Sequence, residues 1–196
     1  MNYDSLEIFS SGIKALTGVM LILVGAMIPS AILIPQKDLS FSIIHLPSTW
    51  QIAGVLLCSL LCGPQIGIIS SLSYIIIGLF YLPIFHGGGS VGYILTPEFG
   101  YIIGFIPAAW LCGTLATKKQ ACSLLDITYY TISGLILIHL IGITYLIIAN
   151  MIWDWKESLF DLILTNSIAP LPSQMALCLS ISFIFQILKK ILLIKW

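Results

Sequence analysis

Residues 49–82 read TWQIAGVLLCSLLCGPQIGIISSLSYIIIGLFYL. The stretch holds no Asp, Glu, Lys or Arg, and its one strong break is Gly63-Pro64. Glycine followed by proline punctuates a chain, so the stretch splits into two apolar helices, about 50–61 and 66–82, joined by a tight turn. The first is short for a membrane span, since roughly 20 apolar residues are needed to cross the hydrocarbon core. Two successive apolar helices with no charge between them belong in lipid.

The rest of the chain agrees. Of 196 residues, 59% are hydrophobic and 8% charged, and mean hydropathy is +1.07. Eight lysines balance eight acids, and arginine is absent. A soluble domain carries about 25% charge to solvate its surface, so a soluble enzyme is excluded. A nucleic-acid binder is excluded too, because it needs a basic footprint. So is a disordered chain, which holds far less apolar surface. Charge-free runs cover 15–36, 39–97, 99–117, 127–153 and 162–188. Four of these hold one span each and 39–97 holds two. The expectation is an all-α integral membrane protein, one domain over 1–196 with six transmembrane helices at about 15–34, 50–61, 66–82, 99–117, 127–151 and 172–188. The N-terminus lacks the basic region of a cleavable signal peptide, so the first span is expected to remain in place.

Lysine counts orient the bundle. With six spans, Lys14, Lys118, Lys119, Lys189, Lys190 and Lys195 share one face against Lys37 and Lys156 on the other. Both termini are therefore expected in the cytoplasm. That gathers the Gly-rich loop after 82, Glu98, an interfacial aromatic helix at Trp153–Asp161 and the start of the last span at one outer mouth. A binding site is expected there.

Candidate residues follow from chemistry. Gly87, Gly88 and Gly89, beside His86, allow close backbone approach and bare N–H groups that can nest an anion. Gln51 opens the second span and Gln174 lies near the start of the sixth. A neutral amide offers both donors and acceptors. Tyr74 and Tyr101 fall inside spans, where a phenol seeks a partner. Tyr93 follows the glycines and shapes their loop. Glu98 and Asp126 sit where they complement helix N-termini. His139 is a lone mid-span histidine, read as packing against a backbone carbonyl. Cys58, Cys62, Cys112, Cys122 and Cys178 form no CxxC and read as small packing residues.

Several functions lack their motif. No HExxH, GxSxG or Walker sequence occurs, so neither an intramembrane hydrolase nor self-contained ATP hydrolysis is signalled. No acid lies in a span interior, as ion coupling would require. What is left is an apolar bundle that captures a mostly uncharged solute at its outer face.

The order Thr49-Trp50-Gln51, Gly54-Val-Leu-Leu and Gly63-Pro64 resembles the second helix of the BioY family. Leu82-Pro83-Ile84-Phe85 with the glycine cluster, then Pro97-x-x-Gly100-Tyr101-x-x-Gly104-Phe105, also resembles that family, and Leu171-Pro172-Ser173-Gln174 is similar to its LPG-type last-helix start. The likeness runs from about residue 10 to the C-terminus.

The resemblance implies the six-helix, S-component-like bundle of the biotin-specific substrate-capture subunit of energy-coupling-factor (ECF) transporters. Such a subunit resides in the bacterial plasma membrane, needs no cofactor, and carries biotin as its transported ligand. It topples in the lipid bilayer against a transmembrane coupling protein and two ATP-binding subunits, although some members are understood to work without these partners. The subunit is not an enzyme and binds no nucleic acid.

Two departures stand out. Many members carry Asp and then Lys in the turn where Gln174 and Leu177 stand here, and Ser90-Val91-Gly92 keeps the loop's glycine pattern only in part. With that Lys absent, the biotin carboxylate is assigned to the N–H groups of Gly87–Gly89, helped by Lys37 or Lys156. The fused ring is expected among Tyr74, Phe85 and Tyr101, beside Tyr93, and the ureido group against Gln51 and Gln174. Ser11-x-x-x-Ala15, Gly18 and Gly25-Ala26 offer either a face for the coupling protein or internal packing. An S component for another vitamin, a membrane-embedded acyl- or prenyl-group enzyme, and a ligand-free bundle stay open at this point.

Overall fold

The computed structural model describes residues 3–35, 41–85, 87–119, 122–153 and 155–191. Lys37, His86, Asp154 and Lys195 lie outside the described residues. The order is α1 (Tyr3–Met27), β1 (Pro29–Pro35), β2 (Phe41–Thr49), α2 (Gln51–Cys62), α3 (Pro64–Phe80), a 3-10 turn (Val91–Leu95), α4 (Phe99–Ile103), α5 (Phe105–Lys118), α6 (Leu124–Trp153), α7 (Leu159–Ile163), a π-helical turn (Leu164–Ile168) and α8 (Leu171–Ile191). Four helical stretches are long and apolar enough to cross a membrane: α1, α4 with α5, α6, and α7 through α8. With the shorter apolar α2 and α3 they make the six helices of an integral membrane bundle. The chain is a multi-pass membrane protein.

The helices break where the backbone lacks a donor. Gly63 has φ 85° and Pro64 opens α3, so α2 stops at 12 residues, about 18 Å long at the α-helical rise. Pro107 has no N–H for the Ile103 carbonyl, and the helix divides there into α4 and α5. Pro170 and Pro172 likewise withhold donors from Asn166 and Ile168, and Ala169 N–H reaches back five residues to Leu164 O at 2.8 Å. The resulting π-turn sits beside the cavity described below.

Two sequence expectations change. The first helix starts at Tyr3 and stops at Met27, and 29–35, expected as the end of a span, is a strand. Pro29 cannot donate to the helix it would continue, and its segment instead pairs antiparallel with β2, Ile32 opposite Ile44 and Ile34 opposite Ser42. An all-helical reading of the span therefore missed a β-hairpin. At Trp153–Asp161, α6 runs on through Trp153, residues 155–158 are non-helical with a bend at 156–157, and Ser158 caps α7 by accepting from Asp161 N–H at 3.1 Å.

Lipid tails are as apolar as leucine, so close packing and polar bonds join these helices rather than release of water. α1 and α2 touch at the backbone: a Cβ on Gly54 would lie 2.6 Å from the Leu21 carbonyl oxygen, and one on Gly25 2.5 Å from that of Trp50. Gly18 is similarly closed off by Ser70 and Cys58. Those glycines therefore pack inside the bundle. Ser70 Oγ donates to Ala15 O at 3.1 Å across α1 and α3. α2 lies centrally, packed on α1, α3, α5 and α8, and its Leu56 and Leu60 are fully buried. At the opposite end from the site, Lys119 pairs with Asp126 at 2.7 Å, and Ser123 and Asp126 cap α6 reciprocally.

Candidate functional site

A cavity of about 320 Å³ opens where five parts of the chain converge. β2 supplies Leu46–Thr49, α2 supplies Gln51 and Ile52, and the 3-10 turn supplies Tyr93. Glu98, Tyr101, Ile102 and Phe105 come from around α4, and Thr165, Asn166, Pro170 and Gln174 from the last helical stretch. Its size is at the small end of ligand sites, which run from roughly 300 to 1,000 Å³. Ser48 donates to Ser173 Oγ at 2.7 Å, and Ser173 donates to Pro170 O at 2.7 Å, tying the hairpin to α8 at the rim.

The two amides are held in opposite senses. Tyr74 donates its only hydroxyl proton to Ile84 O at 3.0 Å, so it must accept from Gln51 Nε2, also at 3.0 Å. That leaves Gln51 Oε1 as an acceptor at the cavity wall. Gln174 Oε1 lies 2.7 Å from His139 Nε2. An amide oxygen only accepts, so the imidazole donates and the Gln174 NH2 group is what remains to offer. One wall accepts and another donates.

The aromatic residues form a layered support. Tyr74 meets Phe85 edge-on at 5.4 Å between ring centres, and Phe85 meets Tyr93 at 4.6 Å. Gly78 leaves the room that the Phe85 ring fills. Tyr101 donates to or accepts from Ser167 at 2.6 Å and stands edge-on to His139 at 5.7 Å. Tyr145 donates to Ile94 O and Trp155 to Leu95 O at 3.1 Å, pinning the 3-10 turn from α6 and beyond. Burial, with the charge of Glu98 adding to it, pushes the Tyr93 phenol up to about 12. Tyr93 is therefore an uncharged hydroxyl at neutral pH.

Of the residues expected from sequence, Gln51, Tyr93, Tyr101 and Gln174 line the cavity. Tyr74 and Phe85 stand behind it, bonding Gln51 and backing Tyr93. Gly87, Gly88 and Gly89 do not line it. Gly88 N–H is already given to Phe85 O at 3.0 Å, closing a turn in which Gly87 and Gly88 take φ of 86° and 139°. Gly89 sits where a Cβ would be 2.6 Å from Pro83 Cα. Their conformations fold the loop that carries Phe85 and Tyr93.

A model of the BioY family matches residues 5–193. This chain belongs to the BioY family. It is 33% identical over 146 residues, 74% of each chain, to the probable biotin transporter BioY of Lysinibacillus sphaericus. To the biotin transporter BioY of Thermotoga maritima it is 31% identical over 102 residues, 50% of this chain and 59% of that one. The crystal structure of an S-component for biotin from an ECF-type ABC transporter superposes with a TM-score of 0.70, covering 97% of this chain and 95% of that one. Identity there is 19%, so that likeness is one of fold.

Within this BioY-family chain, Leu177 is buried in the bundle at 5% exposure and offers no cation. A second hollow adjoins the cavity, sharing Glu98, Thr165 and Asn166 with it, and is lined further out by Trp155, Lys156 and Glu157. Among the described residues, Lys156 is the only cation lining either hollow. Sequence reasoning missed His139, read as packing against a backbone carbonyl, because its partner lies 35 positions away on another helix. It also missed Ser48, Thr165 and Asn166, which carry no motif and reach the cavity only through the hairpin and the π-turn.

Proposed function

We propose that this BioY-family chain captures biotin in the cavity between Gln51 and Gln174 and delivers it across the plasma membrane. The observation that carries the reading is the opposed pair of amides. Biotin's ureido ring has one acceptor flanked by two donors, and the wall offers a donor at Gln174 and an acceptor at Gln51. Tyr93, Tyr101 and Phe105 supply apolar surface for the fused ring, with Tyr74 and Phe85 as their support. The Gly87–Gly89 loop sets the position of Tyr93. The carboxylate tail extends toward the second hollow and Lys156, because Gly87–Gly89 do not line the cavity and the Gly88 N–H is spent within its own turn.

The chain is a transport subunit rather than an enzyme, with biotin its cargo and no cofactor of its own. Energy for uptake is supplied by an ECF coupling protein and two ATP-binding subunits, a reading supported by the likeness in fold to an S-component of an ECF-type transporter. The apolar faces that the helices present to lipid, such as Leu140 and Ile148 on α6, suit a domain that reorients within the bilayer. The lysine bias puts both termini in the cytoplasm and the cavity at the outer face. A bacterial strain unable to make or import biotin tests the reading. Expression of the chain with ECF partners restores growth on trace biotin, and a strain that stays dependent on high biotin contradicts it.

A further inference from the structure

We propose that His139 is a positioning residue: it locks the Gln174 amide with its NH2 group offered to the ligand, so that the site discriminates by the direction of hydrogen bonding. The inference rests on the biotin reading above and adds to it a determinant of specificity.

His139 is 7% exposed, deep in α6, and its Nε2 lies 2.7 Å from Gln174 Oε1. A neutral imidazole has one N–H, and here it is given to Gln174. The other nitrogen, Nδ1, is buried with no hydrogen-bond partner among the described residues. A histidine present only for packing satisfies its N–H at a backbone carbonyl; this one uses it to hold a side chain that lines the cavity. Turning the Gln174 amide over would set NH2 against N–H. Reversing the tautomer as well would bury an orphaned N–H at Nδ1, the less tolerated defect. Tyr101, itself bonded to Ser167, stands edge-on to the imidazole and fixes its plane.

Gln51 is locked in the other sense by Tyr74 and Ile84. Two residues of one type are thus anchored in opposite senses, each through one atom of its amide. A cyclic urea meets both, its carbonyl accepting from Gln174 and an N–H donating to Gln51. A cyclic guanidinium of the same shape presents N–H on every side and meets Gln174 donor to donor. Leaving such a buried pair unmatched lowers affinity by about tenfold to a hundredfold.

Calorimetric titration of the full chain in detergent at neutral pH with biotin and 2-iminobiotin tests this. Wild type binds biotin at least about tenfold more tightly than 2-iminobiotin. His139→Phe keeps the flat ring without the donor, and the ratio falls toward one while biotin still binds. A loss shared equally by both ligands is what a merely structural role gives, and it overturns the inference. If His139→Phe fails to fold, Gln174→Glu decides: a carboxylate accepts at both oxygens, so preference moves toward 2-iminobiotin by about tenfold or more, and an unmoved ratio overturns the inference. Wild type that ignores biotin altogether overturns the ligand reading itself, and the inference with it.

Discussion

The side-chain amide of Gln51 donates to the Tyr74 hydroxyl at 3.0 Å, and that hydroxyl donates in turn to Ile84 O. Tyr74 is fully buried, so the chain of bonds runs from the cavity wall through the α2–α3 contact to the strap before the glycine loop. Tyr74→Phe strips the acceptor from Gln51 and the donor from Ile84, a cost of about 1–3 kcal/mol for unsatisfied buried groups. We expect a lower melting temperature and biotin affinity about tenfold weaker. Gln51→Ala, at the wall, weakens biotin comparably while leaving the melting temperature near wild type. Thermal melts paired with biotin titration separate the two.

The glycine loop gives a graded test. A Cβ on Gly89 meets Pro83 and the Gly78 carbonyl at under 3 Å, whereas a Cβ on Gly87 meets nothing within 4 Å and strains only the backbone, at φ 86°. Gly89→Ala is expected to displace Phe85 and Tyr93 and to weaken biotin tenfold or more. Gly87→Ala costs about 1 kcal/mol of stability and changes affinity little. Equal effects on binding would mean that the loop's N–H groups, not its shape, hold the ligand.

Lys156 lines the outer hollow together with Glu98 and Glu157. Lys156→Ala is expected to weaken biotin by up to about fivefold, the upper end of a solvent-screened charge contact. Biotin amide, which has no carboxylate, is then unaffected, and the biotin effect shrinks as salt is raised. Loss of affinity for both ligands would place Lys156 in the fold rather than at the tail.

The six helices were legible because charge is excluded from lipid: sixteen charged residues mark the ends of the apolar runs almost by themselves. Breaks at Gly63-Pro64 and before Pro172 were legible for the same local reason, a missing donor. The hairpin was not, since Ile32, Ile34, Ile43 and Ile44 are as apolar as any span and stand at 42–61% exposure on a ribbon. Gln51 and Gln174 were visible as amides at helix starts. Their opposite orientations were not, because these depend on Tyr74 and His139 from other helices. The glycines drew attention to an anion nest, yet Gly88 N–H is used within its own turn. A run of glycines reports backbone shape and says nothing of which N–H groups remain unbonded.

The most direct test of the account is calorimetric titration of the detergent-purified chain with biotin, with thiamine and riboflavin as controls. The account predicts 1:1 binding of biotin at sub-micromolar affinity, about −8 kcal/mol or stronger, and no heat from the other two. Absence of biotin binding, or equal binding of either control, would contradict it.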